Sequence, residues 1–520
     1  MVQFLFVKLG SNPETRPIVE KIRSRIPGCR ILGVEERLDA SDSVFDEIIT
    51  SHDDALFGSY SKFDLTSLHM SAELYEEVRV FEGQAMRMID RIKYHNQAEY
   101  IPPLGGVGRY SDSFDARADL IFRHSLFWDY ILRSRKIDAV VSQNFSHLGF
   151  DLPLVKFCQN RSIPHLIFHD VGQFPGVLYV QERVEDLGNL RLGESIRSIC
   201  GDRLMPETPN RVTSHLPRLL GDPALLHPAN TPSAIAQGSR FKTGALSSLL
   251  NQANPRLEVN TASDVANALR GKLTRLIQHP GKTLVGSTRT FMRIVRTRRS
   301  MKDEAAFSDK AIPNCKFVYF PLHFQPEAST SAKGRHFVDQ REAVALVAST
   351  LPVDWMLVVK EHPHQWRRLY PRHRNYWRRI ASIPRVRVIH HTFENPIIVQ
   401  RCEGVVSISH SSIGVESWAR GKRVVFLGDS HLREAPGVCC ASSAEELRQL
   451  WANDAKHLPS ETEIFSYLQR VEYATFEGAL YGTPAGIPAT MVGDFLLRTQ
   501  HNITEVILCW LAMKGLTKQP

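Results

Sequence analysis

The chain lacks most of the signatures that identify an enzyme at sight. Its eight cysteines (Cys29, Cys158, Cys200, Cys315, Cys402, Cys439, Cys440 and Cys509) form no CxxC pair, and none has a histidine at zinc-finger spacing. Eight cysteines among 520 residues are too sparse for a disulfide scaffold, so reduced thiols in a cytoplasmic protein are expected. There is no HExxH, no GxSxG and no dinucleotide-type GxGxxG after a strand. Metalloprotease, serine hydrolase and dehydrogenase readings lose their support accordingly. His279-Pro280-Gly281-Lys282-Thr283 imitates the end of a P-loop, but Leu276 stands where the first glycine is required, and the reading is rejected. Long apolar runs are missing too. The longest late one, Val506 to Met513, is far short of the ~20 residues that span a bilayer. The opening MVQFLFVKLGSNPE has no basic n-region, long apolar stretch or small-residue cleavage site, and reads instead as a first buried strand at Phe4–Val7. Acid is scarcer than base: 55 Asp+Glu against 64 Lys+Arg leave a formal +9 at pH 7. That excess suits anionic partners such as phosphates, nucleotides, acidic polysaccharide or a membrane face. It is too mild to mark a nucleic-acid binder.

What remains is ordinary globular material, with 43% hydrophobic and 23% charged residues, enough for sizeable cores. Residues 1–180 alternate short apolar runs with helical patterns. Candidate strands are Phe4–Val7, Ile137–Ser142 and His165–Phe168, and candidate helices are Ser113–Arg135 and Leu152–Asn160. Residues 311–455 repeat the rhythm more clearly. Strands are expected at Lys316–Phe320, Trp355–Lys360, Val386–Ile389, Val405–Ile408 and Val424–Leu427, with helices near 338–350, 394–402, 412–420 and 443–452. Val- and Ile-rich strands alternating with helices indicate parallel sheets covered on both faces. The expected architecture is α/β: two Rossmann-like domains (1–180 and 311–455) facing a cleft, an irregular or helical basic insertion (181–310) and a helical tail (456–520). Within the insertion, Val265 to Lys302 holds ten Lys/Arg and no Asp or Glu. Interleaved apolar residues would let it form basic amphipathic helices that seat on an anionic membrane surface; the plainer reading is a solvated linker.

In open α/β sheets, ligands bind at the carboxyl ends of the strands. That rule selects three loops of 311–455. Pro321–Ser331 (PLHFQPEASTS) offers His323, Gln325, Glu327, Ser329, Thr330 and Ser331, suited to a base, ribose or sugar. Lys360–His364 (KEHPH) brings Lys360 and His362 to a phosphate, with Pro363 fixing the turn. Ser407–Glu416 (SISHSSIGVE) places Ser411 and Ser412 at a helix start, a ready anion site, with Glu416 one turn in. The bland alternative for each is a helix cap or a solvated residue. In the first half, Gln143, Asn144, Ser146 and His147 follow one strand and His169 and Asp170 end another. Asp170 or a neighbouring histidine is placed for general-base work, and a hydrogen-bonded structural carboxylate is an equal alternative. Leu104–Gly108 (LGGVG) would let backbone approach a ligand, although one glycine loop is weak evidence.

Together these segments resemble the bacterial capsule polysaccharide biosynthesis family, which includes capsule-type Kdo transferases of GT-B architecture. KFVYFPLHFQPEAST, WMLVVKEHP and VVSISHSSIGVESWARGKRVVFLG carry the likeness over about 315–430. SQNFSHLGFD and PHLIFHD carry it loosely over about 135–180. The resemblance implies a nucleotide-activated sugar as donor, CMP-linked in some members. His362, Pro363, Ser411 and Ser412 would contact the nucleotide phosphate, with Gln325 and Glu327 facing the same cleft. Some capsule Kdo transferases have Asp after this Gln, whereas the present chain reads Gln-Pro-Glu, so CMP-Kdo is one donor among several. Asp170, His147 and His169 would lie across the cleft, on the acceptor side.

The expected activity is glycosyl transfer to a capsule or surface polysaccharide or glycolipid. Asp170, His147, Glu327 and His362 are the candidate catalytic residues. Gln325, Ser329, Lys360, His362, Pro363, Ser411, Ser412 and Glu416 are the candidate donor-binding residues. No cofactor and no metal is required by anything in the sequence, and nucleic acid is not an expected partner. The expected location is cytoplasmic, peripheral on the inner membrane face where 265–302 engages it. Three alternatives stay open: a teichoic-type CDP-polyol phosphotransferase, a sugar-nucleotide 2-epimerase, and a non-enzymatic polysaccharide assembly or export factor.

Overall fold

A computed structural model of the chain describes residues 2–7, 15–35, 43–60, 62–95, 114–143, 149–170, 174–216, 295–325, 328–367, 372–373, 375–452, 458–479 and 489–517. Thirteen strands lie in them: β1 (Gln3–Val7), β2 (Arg30–Glu35), β3 (Glu47–Ser51), β4 (Ala139–Gln143), β5 (His165–Asp170), β6 (Val177–Gln181), β7 (Phe317–Pro321), β8 (Met356–Lys360), β9 (Val386–Ile389), β10 (Gly404–Ser407), β11 (Arg423–Phe426), β12 (Val438–Cys440) and β13 (Phe476–Glu477). They form two sheets, β13-β6-β5-β4-β1-β2-β3 and β12-β11-β10-β7-β8-β9. The expected pair of Rossmann-like lobes is present. The second sheet is parallel throughout, and the first is parallel from β5 to β3. Two antiparallel strands complete the first sheet, β6 on β5 and, at the edge, β13 on β6.

Alternation along the strands explains the layering. In β1, Leu5 and Val7 face one core, with Leu32, Val34 and Ile49, under the helices 72–95, 114–134 and 152–160. Phe4 and Phe6 face the other, with Ile31, Val141, Leu166 and Phe168. Helices 16–25, 191–200 and 492–513 cover that second face. Each large apolar side chain so enclosed contributes about 1.5–3 kcal/mol. In the second sheet, Val318, Phe320, Leu357, Val359, Val406 and Val425 pack against helices 340–350, 376–381 and 444–452. A further core spans both lobes: Phe174, Val177, Tyr179 and Leu190 meet Val415, Trp418, Phe426 and Leu432. The tail joins it. Helix 461–474 contributes Ile464, Leu468 and Val471 and packs on helix 191–200, where Gly193 has no room for a Cβ against the Ala474 carbonyl. The chain thus returns to the first sheet, where helix 492–513 buries Val506, Ile507 and Trp510.

The expected strands and helices reappear within one or two residues of the pattern read from sequence; helix Leu152–Asn160 and strand Val386–Ile389 match end for end. β2, β3, β6, β12 and β13 were not foreseen. β2 begins with Arg30 and ends with Glu35, so its charged ends blur the apolar run, and β12 and β13 are only three and two residues long. Of the basic tract, 265–294 lies outside the described residues and 295–302 begins a helix that runs to 307. The glycine loop 104–108 also lies outside them. All eight cysteines are free thiols. Among the described residues, no helix is long and apolar enough to cross a membrane.

Candidate functional site

Both sheets change winding direction between their central strands, between β1 and β4 in the first and between β7 and β10 in the second. Such switch points open a crevice at the strand carboxyl ends. At β7/β10 the crevice is lined by a short chain of hydroxyls. His323 Nε2 lies 2.9 Å from Ser407 Oγ, and Ser407 Oγ donates to Ser411 Oγ at 3.1 Å. Ser411 is the N-cap of helix 412–419 and accepts from the Gly414 N–H at 3.0 Å. Ser412 is the first residue of that helix, and Glu416 lies on its buried side. The pair Ser411–Ser412 therefore stands at a helix N-terminus, where backbone N–H groups and the macrodipole favour an anion.

The loop after β7 is held rigid by side-chain amides. Gln340 accepts from the His323 N–H at 2.7 Å and donates to its carbonyl at 3.0 Å. Gln365 does the same for Gln325, at 2.9 Å each way. Arg372 adds bonds to the His323 carbonyl at 3.0 Å and to Gln325 Oε1 at 2.8 Å. Gln325 donates in turn to the Val338 carbonyl at 2.5 Å. Gln325 is thus engaged at both ends of its amide, as a brace of the loop. Ser329 is buried, and its carbonyl accepts from Ser409 Oγ at 2.6 Å. That bond, with Asp429 N–H to the Lys333 carbonyl at 2.8 Å, fastens segment 328–338 to the loops after β10 and β11. Gly428 lies where a Cβ would meet the Lys333 carbonyl at 2.2 Å, so only glycine permits this approach.

After β8, the side chains diverge. Lys360 is buried and donates Nζ to the Phe393 carbonyl at 2.8 Å. Burial pushes its amine down to about 7, opposed by Glu304 and Glu394. Glu361 pairs with Arg372 and accepts from the His362 N–H at 2.8 Å. His362 is half-buried, its ring 6.1 Å from that of Phe324. Pro363 starts helix 363–367 at the position where its missing N–H costs nothing. Among the sequence candidates, His362 and the pair Ser411–Ser412 thus sit on the loops to either side of the one after β7, while Lys360 reaches toward the β9 side.

The opposite rim is the end of β5. His169 is buried and Asp170 nearly so. Burial raises the Asp170 carboxyl above its usual range, and the Lys333 ammonium opposes the rise. Lys333 also acts on His410 and His431, and His169 and His323 both act on His410. Burial holds both imidazoles well below their ordinary range, so they are neutral at pH 7. His410 and His431 pack with their rings tilted by 54° and centroids 3.4 Å apart. His431 in turn touches Phe174 and Tyr179 of the first lobe at 6.4 and 5.8 Å. Side chains from β5, β7, β10 and β11 thus converge on one place. His147 and Glu327 lie outside the described residues.

Lys333, His410, His431 and Arg372 were not among the candidates read from sequence. The strand-end rule, applied to β11, would have reached His431 in the GDSH segment. His410 stands inside the quoted SISHSS run. Lys333 follows a four-residue helix, and Arg372 stands well past its strand; neither carries a sequence signal.

No family model matches the chain, and no curated protein matches it. Solved structures do. A UDP-GlcNAc 2-epimerase from Methanocaldococcus jannaschii aligns at 12% identity over 91% of this chain and 100% of its own, with a TM-score of 0.24. KpsC of Thermosulfurimonas dismutans, a beta Kdo 2,7 transferase, aligns at 9% over 72% and 88%, with a TM-score of 0.28. The glycosyltransferase SnogD from Streptomyces nogalater aligns at 10% over 91% and 94%, with a TM-score of 0.19. These identities and scores are low, and the site is read from its own geometry.

Proposed function

We propose that the chain is a glycosyltransferase that takes a sugar from a nucleotide-activated donor and adds it to a polysaccharide or glycolipid acceptor. In this reading 311–455 is the donor lobe and 1–180 the acceptor lobe. The observation that carries it is the meeting of the lobes at the strand ends: the ring of His431, after β11, lies 5.8 Å from Tyr179 and 6.4 Å from Phe174 of the first lobe and 3.4 Å from His410, after β10. Two switch-point rims facing each other give a donor phosphate and an acceptor hydroxyl a common site.

Glycosyl transfer builds negative charge on the departing nucleotide phosphate. The Ser411–Ser412 helix start and His362 supply fixed donors where that charge forms, and Lys333 adds a positive field. Asp170 accepts the proton of the acceptor hydroxyl, its affinity for a proton raised by burial. The interlobe core around Phe174 and Trp418 keeps water out on that side of the site. The cytidine donors suggested by the sequence resemblance are the first to test, and a surface polysaccharide is the proposed acceptor class.

The test is a thermal-shift panel of CMP, CDP, UDP and GDP, with their sugar and polyol conjugates, on the wild type and His362→Ala. A bound nucleotide raises the melting temperature as its concentration exceeds its dissociation constant. Stabilisation by one nucleotide, weakened in the variant, is expected. A response to a CDP-polyol but to no nucleotide sugar would move the assignment to polyol-phosphate transfer. No response to any nucleotide would leave a polymer-handling protein without transferase chemistry.

A further inference from the structure

Glu304, His390 and His391 meet at the outer edge of the second sheet, away from the Ser411 helix start. Glu304 comes from the helix ending at 307, the described continuation of the basic tract. The two histidines follow β9, the edge strand. Asp309 bridges to Ile389, and its N–H donates to the Val388 carbonyl at 2.8 Å, so the segment after the helix extends that edge.

The Glu304 carboxylate is fully buried. Its Oε1 accepts from the His391 N–H at 3.0 Å. Its Oε2 lies 2.9 Å from His391 Nδ1 and 3.8 Å from His390 Nε2. All three side-chain ligand atoms fall within 4.8 Å of one another. His390 Nδ1 is occupied by Thr392 Oγ1 at 2.7 Å, which fixes the ring with Nε2 toward the carboxylate. Such an outer hydrogen bond is the usual way a metal-binding imidazole is oriented. A carboxylate that needed only an ion pair would be served by His391 alone; here two imidazoles present nitrogens to the same oxygen. Ligands 2.0–2.1 Å from a tetrahedral ion stand about 3.3 Å apart, and the two nitrogen–oxygen separations bracket that value. Oε1 stays bonded to the backbone, and Oε2 and His391 Nδ1 exchange their mutual 2.9 Å hydrogen bond for bonds to the ion. Lys360, which acts electrostatically on Glu304, donates its Nζ to the Phe393 carbonyl. Both histidines keep part of their surface in solvent, which leaves an entry path and room for a water.

We propose that Glu304 Oε2, His390 Nε2 and His391 Nδ1 bind a divalent transition ion of the zinc class, with water as the fourth ligand. Two imidazoles and one carboxylate suit Zn²⁺ and Co²⁺ and disfavour Mg²⁺ or Ca²⁺. The ion clips the helix ending at 307 to the edge strand, and so fixes the exit of the basic tract on the donor lobe. It has no part in sugar transfer.

The experiment uses the full chain, stripped with chelator and titrated with Zn²⁺ by calorimetry and with Co²⁺ by visible absorption. Wild type is compared with His390→Gln and Thr392→Val, two changes at partly or fully exposed positions. Equal melting temperatures of all three in chelator establish that the variants fold. The expected result is one tight Zn²⁺ per chain, a four-coordinate Co²⁺ spectrum, and affinity weakened at least tenfold in both variants. The chain's 21 histidines give a background of weak sites, so the difference between wild type and variant is the readout. Equal Zn²⁺ affinity and stoichiometry in wild type and His390→Gln would reduce the cluster to a His391–Glu304 hydrogen bond and overturn the proposal.

Discussion

Arg372 grips Glu361 with two guanidinium nitrogens, Nε 2.8 Å from Oε2 and Nη2 2.7 Å from Oε1, and both side chains are out of solvent. The pair links the loop after β8 to the loop after β7, because the same guanidinium also holds the His323 carbonyl and Gln325. A buried ion pair is a weak source of net stability, but removing one partner leaves an uncompensated charge.

Arg372→Ala is therefore expected to destabilise the second lobe by about 3–5 kcal/mol. Glu361→Leu with Arg372→Met, which removes both charges, should recover most of that loss. It should not recover nucleotide binding, since Arg372's bonds to Gln325 Oε1 and the His323 carbonyl are gone. Chemical denaturation and the nucleotide thermal shift, measured on both variants, separate the two effects. A double variant that binds nucleotide like the wild type would show that the brace is structural only.

Ser411 caps a helix and, in the proposed site, faces the donor phosphate; one substitution separates the two roles. Its Oγ caps helix 412–419 through the Gly414 N–H. Ser411→Ala should cost about 1 kcal/mol of stability through the lost cap, and it should weaken nucleotide binding as well. Ser411→Asp keeps a capping oxygen but brings a negative charge to the proposed phosphate position. It should restore the melting temperature while binding nucleotide worse than Ser411→Ala. Nucleotide affinity in Ser411→Asp equal to that of the wild type would remove the helix start from the donor site.

The second lobe was legible because its strands are buried on both faces. Phe317, Val318, Tyr319 and Phe320 form a continuous apolar run, and the polar residues that follow mark the strand end. The first lobe was less so. Its sheet recruits Phe476 and Glu477 from nearly 300 residues away, and no local pattern announces a two-residue strand at that distance. The same holds for the site. His362 and Ser411 follow their strands directly and obey the strand-end rule. Lys333 gains its meaning only from packing, when Asp429 and Gly428 draw its backbone against the loops after β10 and β11. Gln325 is an expected ligand contact from its loop position alone; the bonds of its amide to the Val338 carbonyl and Arg372 come only from packing.

Asp170 and Lys333 give the proposed chemistry a signature in pH. Burial raises the Asp170 carboxyl, and Lys333 lowers it part of the way back. A base works only when deprotonated, so kcat/KM should rise with pH through the raised value. Lys333→Met removes the opposing charge and should move that acid limb to higher pH. Stability runs the other way. Between the ordinary carboxylate range and the raised value, the folded state holds more protons than the unfolded chain, so stability falls as pH rises across that window. Asp170→Asn ends this loss. It should abolish turnover and at the same time melt higher than the wild type at pH 7.5, with the gain shrinking as pH falls toward the unfolded carboxyl value, near 4. Activity profiles and melting curves over the same pH series check both signs. If Asp170→Asn melts lower than the wild type at every pH, the carboxylate is a structural hydrogen-bond acceptor, and the base must be sought elsewhere on the β5 rim.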